Sequence, residues 1–207
     1  MKKENPDLKH FLSIPWCAAH LNEPDTVRET ASSRFPKPDT EDEFFSTTMH
    51  TDRTIAAFVT FYKRPPPSSS AQRRDGTTGE GGTGGRNDDG AGNLIRELKA
   101  LLTLRSGVNG YAGVSHGGVV AAVLDEVIGL VFPINRVNNL IPEGAYMTAY
   151  LHTRYVRPVE TPQTLLCVAE VKKVEGRKYW VTGRIEDSGG RVLAEAESLY
   201  VKLKEKL

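Results

Sequence analysis

The sequence predicts an α+β fold in which an antiparallel β-sheet wraps one long central α-helix, preceded by a helical extension. Three observations carry this reading. The longest apolar stretch runs from Gly117 to Phe132 and is broken only by Asp125 and Glu126; the helix it predicts, reaching about Val131, is apolar nearly all round and has to be covered by a sheet. Behind it, four alternating segments, Ala145–Val156, Thr164–Val174, Lys178–Glu186 and Val192–Leu203, are separated by Pro158 to Pro162, by Glu175-Gly176 and by Asp187-Ser188-Gly189-Gly190. The last two separators are hairpin signals. Finally, Pro65 to Asn93 holds eight of the nineteen glycines, and its only apolar residues are Ala71 and Ala91. Burial cannot offset the ordering entropy of such a segment, which reads as a disordered surface insertion.

The remaining elements follow in order. Asn5-Pro6-Asp7 is a helix start with proline at the first helical position, and Leu8, Phe11 and Leu12 share one face. Ser13 and Pro15 restart a short helix carrying Trp16 and Ala19, and Pro24, Pro36 and Pro38 mark an extended connection. Phe44 to Tyr62 is rich in threonine and aromatics, which suits one long or two short strands. After the insertion, Leu94 to Leu104 fits either a helical turn or a buried strand, and periodicity does not separate the two. Glycines 107, 110 and 113 form a loop, the long helix opens at His116-Gly117-Gly118, and Pro133 closes it.

A chain of 207 residues, 39% apolar and 26% charged, is long enough to bury a core without staples. The expected organisation is a helical extension over 1–43 and one domain over 44–207 interrupted by the insertion at 65–93. A net charge of +1, from 27 basic and 26 acidic residues, leaves no field of one sign; nucleic acid and membrane are therefore not expected as partners. Cys17 and Cys167 show no metal-ligand spacing and read as reduced thiols, so neither a disulfide frame nor a metal is expected. The stretch 117–132 reads as too short to span a bilayer. The N-terminus lacks the apolar core of a secretory signal. These readings give a soluble, cytoplasmic protein as the expectation. The glycines between 79 and 90 do not form a phosphate-cradling loop, because no strand leads in and no Lys-Ser/Thr pair follows.

Chemistry concentrates in Gly113 to Glu126. Gly117 and Gly118 at a helix N-terminus either permit a tight turn into the helix or expose amides that stabilise a developing oxyanion. Asp125 sits midway along an apolar helix, where an unpaired buried carboxylate costs several kcal/mol, so it has a partner or a task. Gly117 and Asp125 lie eight residues apart, about 12 Å along one helix axis, too far to act on one carbonyl. Two copies of the helix running antiparallel across a two-fold axis would bring Gly117 of one opposite Asp125 of the other, giving two equivalent sites.

His116-Gly117-Gly118 followed by Asp125 resembles the helix signature of hotdog-fold acyl-CoA thioesterases, particularly the phenylacetate-pathway and thioesterase-superfamily-member type. The resemblance extends through Ala145 to Val159, with its Arg157-Pro158, and through the terminal hairpins; the N-terminal segments look like longer fungal members. It implies a hotdog fold and hydrolysis of a thioester. The Gly117 amide would bind the carbonyl oxygen, with Gly118 beside it in the substrate site. Asp125 from the other subunit would act as base or nucleophile, Thr148 would hold the water, and His116 would support the carbonyl-binding loop. Some members use an asparagine before the histidine, and Asn109 is the nearest match, one residue further upstream than the pattern asks. Period-2 alternation places Thr148 with Tyr150, His152 and Arg154 on one face. Glu126, about 100° round the helix from Asp125, is a structural or substrate-side group, and Tyr150 and Arg157 complete the substrate-side candidates.

The expected partners are an acyl-CoA or acyl-carrier thioester and a second copy of the chain, as a homodimer or a dimer of dimers. Coenzyme A enters as part of the substrate, with no resident cofactor. Two other readings stand beside this one: a dehydratase or cyclase acting on a polyketide or 3-hydroxyacyl thioester with His116 as base, and a non-catalytic acyl-CoA-binding module. The sequence does not specify acyl length or class.

Overall fold

The computed structural model of the chain describes residues 5–64 and 94–204; the insertion expected over 65–93 lies outside the described residues. Seven strands form one antiparallel sheet in the order β1-β2-β3-β7-β8-β9-β6. They are β1 (Thr26–Glu29), β2 (Ile55–Lys63), β3 (Glu97–Leu104), β6 (Tyr146–Tyr155), β7 (Gln163–Glu175), β8 (Lys178–Glu186) and β9 (Val192–Lys202). A short ribbon of β4 (Asn109–Tyr111) and β5 (Val114–Ser115) leads into helix α3 (Gly117–Gly129). The sheet curls around α3, whose Val120, Val123, Leu124, Val127 and Ile128 are buried against it. The fit at β8 is tight: a Cβ on Gly183 would come within 2.9 Å of Ile128. The four alternating segments thus produce the expected hotdog arrangement of sheet around helix, with β7, β8 and β9 consecutive and β6 at the edge beside β9.

The other face of the sheet is covered at β2, β3 and β7 by the two N-terminal helices, α1 (Pro6–Leu12) and α2 (Pro15–Leu21). Asn5 caps α1, its side chain accepting from the Asp7 and Leu8 amides. Phe11, Cys17 and Leu21 pack there on Ala57, Val59, Phe61 and Leu101. Cys17 and Cys167 are both free and buried. They belong to the cores on opposite sides of the sheet.

Several local expectations are corrected. Phe44–Thr48 forms a π-helical turn instead of a strand; that winding buries Phe45 and, one turn on, Met49 in the main core. The strand begins only at Ile55. The ambiguity at Leu94 to Leu104 resolves as β3, paired with β2 and β7 on its two edges. Pro133 does not end the long helix. A break at Leu130 starts α4 (Val131–Val137), and Pro133 falls in its first turn, where no intrahelical donor is required. The combined span Gly117–Val137, 21 residues, is long and apolar enough to cross a membrane by length and composition, contrary to the shorter stretch expected. Half of its apolar window is buried within the fold.

Candidate active site

His116 caps α3 in an extended conformation, and its Nδ1 accepts from the Gly118 amide at 3.0 Å. The His116 N–H donates back to the Val108 carbonyl at 2.8 Å, and a Cβ on Gly110 would strike His116 at 3.0 Å. The loop glycines therefore let the β4–β5 ribbon close tightly under the helix start. Gly117 is the first helical residue, and its carbonyl accepts from the Tyr155 hydroxyl at 3.0 Å, which ties the end of β6 to this corner. Among the described residues no group accepts from the Gly117 N–H. An unclaimed amide at the positive end of a helix is a place for an oxyanion.

Asp125 lies two turns further along. Its Oδ1 accepts from the Tyr200 hydroxyl at 2.9 Å and from the Thr148 hydroxyl at 3.2 Å. The Tyr200 hydroxyl is also 3.2 Å from the Asp125 carbonyl. Burial first, and then the neighbouring carboxylates, raise the Tyr200 pKa, which keeps it a donor. Both donors converge on Oδ1, so Oδ2 is the oxygen left without a partner among the described residues. Tyr200 was not singled out from sequence; its signal was a tyrosine on the buried face of an alternating strand, where its hydroxyl needs a partner.

The neighbouring Glu126 turns a different way. It accepts a hydrogen bond from Ser33, and burial is the main cause that pushes its pKa up to about 7, with Asp42 and Asp125 adding to the rise. Asp125 and Glu126 line one cavity of about 350 Å³, shared with Gly129, Phe132, Tyr146 and Tyr200. A slightly larger hollow of about 400 Å³ lies against the other side of the sheet, among His152, Arg154, Arg184, Glu195 and Glu197. None of the groups around Asp125 lines it.

The structure brings Thr148 to Asp125 but separates it from the residues expected beside it. A bulge at Ala149 shifts the pairing from Thr148↔Tyr200 to Tyr150↔Leu199. One inserted residue moves everything after it to the other face. Tyr150 consequently turns away, donating to Glu197 at 3.2 Å and stacking on His152, and Arg154 pairs with Glu195. Arg157, beyond the strand, donates to the Val192 carbonyl at 2.6 Å. Asn109 pairs with Ser115 in the small ribbon, and its side-chain oxygen accepts from Thr161. Tyr150, Arg157 and Asn109 therefore do not meet Asp125 within one chain. Gly117 does not meet it either, because two turns of α3 separate them.

The family model of the thioesterase superfamily matches residues 112–194. The chain is similar to acyl-coenzyme A thioesterase THEM4 of Mus musculus, 31% identical over 110 residues, covering 52% of this chain and 44% of that protein. It is also similar to an uncharacterised protein of Schizosaccharomyces pombe, 35% identical over 98 residues, covering 45% of this chain and 53% of that one. A Bacillus halodurans protein solved with CoA is 25% identical with a TM-score of 0.44, covering 51% of this chain and 66% of that chain. The chain spans about half the length of the curated relatives it matches.

Proposed function

From the match of residues 112–194 to the thioesterase superfamily, we propose that two copies of this chain hydrolyse an acyl thioester of coenzyme A or of a carrier protein's phosphopantetheine arm. The observation that carries the reading is the pairing of Tyr200 and Thr148 on one oxygen of Asp125, in the middle of a helix that opens on a free glycine amide. The thioester carbonyl oxygen lies at the Gly117 N–H of one subunit, where the helix N-terminus stabilises negative charge. Oδ2 of Asp125 from the second subunit takes a proton from water, whose oxygen bonds to the carbonyl carbon. The tetrahedral intermediate collapses, the C–S bond breaks, and the thiolate leaves with the electron pair and takes the proton held by Asp125, which returns to the carboxylate. Tyr200 and Thr148 hold Asp125 in place by donating to its Oδ1.

His116 fits a supporting role better than that of a base. An acceptor Nδ1 places the proton of the neutral ring on Nε2, leaving no free lone pair for proton abstraction. This favours hydrolysis over the dehydratase reading. The test is thiol release across short, medium, long and aromatic acyl-CoAs. The wild-type chain is expected to release thiol from part of the panel and Asp125→Ala to release none; turnover unchanged in that variant overturns the assignment.

A further inference from the structure

The cavity at Asp125 has two sides of different origin. One side comes from α3, α4 and β6, within the segment matched to the thioesterase superfamily, and from Tyr200 just beyond it. The facing side comes from Ser32, Ser33, Lys37, Glu41 and Asp42, far outside that segment.

This N-terminal strap is fastened at three points. Ser33 is 1% exposed and donates to Glu126 on the catalytic helix. Arg34, equally buried, donates to the Ile55 carbonyl at 3.1 Å and reaches Asp7 at 3.5 Å. Asp7 in turn accepts from the Phe58 amide at 3.0 Å. A buried guanidinium is strongly destabilised if its partners are removed, so Arg34 pins the strap to α1 and β2. Lys37 then bridges Glu41 at 2.9 Å and Asp42 at 2.7 Å, which draws the far end of the strap into a closed turn beside the cavity.

We infer that the strap from Ser32 to Asp42 is the length stop for the acyl group, set in place by the Ser33–Glu126 hydrogen bond. The inference rests on the hydrolase reading only in calling the occupant an acyl group. An acyl chain leaving the carbonyl beside Asp125 first meets the aromatic side of the cavity, Phe132, Tyr146 and Tyr200, where methylenes gain by burial. Further on it meets the strap, whose exposed Ser32 and ion-paired Lys37 offer nothing to an alkyl end and would lose hydration against it. Lys37 is already matched by two carboxylates, and Glu126 adds a third acid, so an anionic acyl end is disfavoured. The ligand class is therefore an uncharged acyl group short enough to end before Ser33. Ser33 and Glu126 act here as positioning residues.

The test uses the full chain and a series of non-hydrolysable acyl-CoA thioethers of increasing length, with affinity measured by calorimetry. Each methylene placed in the cavity adds about fourfold in affinity, and in the wild-type chain this gain is expected to cease at a definite length. Ser32→Trp, which adds bulk at an exposed wall position, moves the stop to shorter chains. Ser33→Ala, which releases the strap from Glu126, moves it to longer ones, and Ser33→Thr restores it. An identical stop in the wild type, Ser32→Trp and Ser33→Ala overturns the inference, as does a wild-type series that gains affinity without limit. Thiol release from the matching thioesters is followed in parallel. No release, with a stop that still shifts, overturns the hydrolase reading and leaves the length stop standing.

Discussion

Glu126 follows Asp125 in the chain, yet its carboxyl is turned into the buried wall beside Ser33, and burial pushes its pKa up to about 7 from 4.5. The folded state therefore holds a proton that the unfolded chain has released between these values, and folding stability falls as pH rises through that window. Glu126→Gln keeps the shape and cannot ionise. It is expected to match the wild type near pH 4.5 and to be the more stable by about 3 kcal/mol at pH 8. Thermal denaturation of both at the two pH values measures this, and a difference independent of pH contradicts it. Both carboxylates were legible in the sequence because charge inside an apolar run stands out. Their partners were not. Tyr200 lies 75 positions from Asp125 and Ser33 lies 93 from Glu126, and a tyrosine in a strand or a serine in a loop carries no mark of the group it will face.

Elements were legible where one periodicity ran without interruption. The central helix and, over most of their length, the four strands behind it are of this kind, although β6 joins the sheet beside β9 and not beside β7; a helix apolar nearly all round leaves the sheet little choice but to wrap it. Legibility failed where a local irregularity outweighed the pattern. The bulge at Ala149 adds one residue to β6 and sends Thr148 toward the helix while Tyr150 faces away, a reversal that strict alternation cannot anticipate. Phe44–Thr48 has the composition of a strand but winds as a π-helical turn, because burying Phe45 and Met49 on one side outweighs β propensity. The close fit of α3 on β8 belongs to the same scale. A Cβ at Gly183 would meet Ile128 at 2.9 Å and Leu124 at 3.3 Å, so the helix has to give way to any side chain there. Gly183→Ala is expected to cost about 1–2 kcal/mol through overpacking, or about 3–6 °C in Tm, measurable by thermal denaturation. An unchanged Tm would mean that Ile128 repacks freely and the contact is not what seats the helix.

At the scale of the whole molecule, the proposed chemistry needs more than one chain. Gly117 and Asp125 stand two turns apart on α3, and β6 forms one edge of the sheet with Met147 and Tyr155 each 55% exposed. An edge strand of ten residues with exposed large side chains is suited to cover by a second copy. Mixing two inactive variants tests whether the site is shared. Gly117→Pro removes only the amide hydrogen proposed for the oxyanion; proline is tolerated at the first helical position, and the extended His116 before it suits a proline neighbour. Asp125→Ala removes the proposed base. In a mixed dimer, one site combines the intact Gly117 of the Asp125→Ala chain with the intact Asp125 of the Gly117→Pro chain, while the other site carries both defects. Random reassortment makes half of the dimers mixed, each with one working site of two, so an equimolar mixture of the inactive variants should recover about a quarter of wild-type thiol release. If Gly117 and Asp125 of one chain served the same substrate, every site in the mixture would lack one of them and no activity would return.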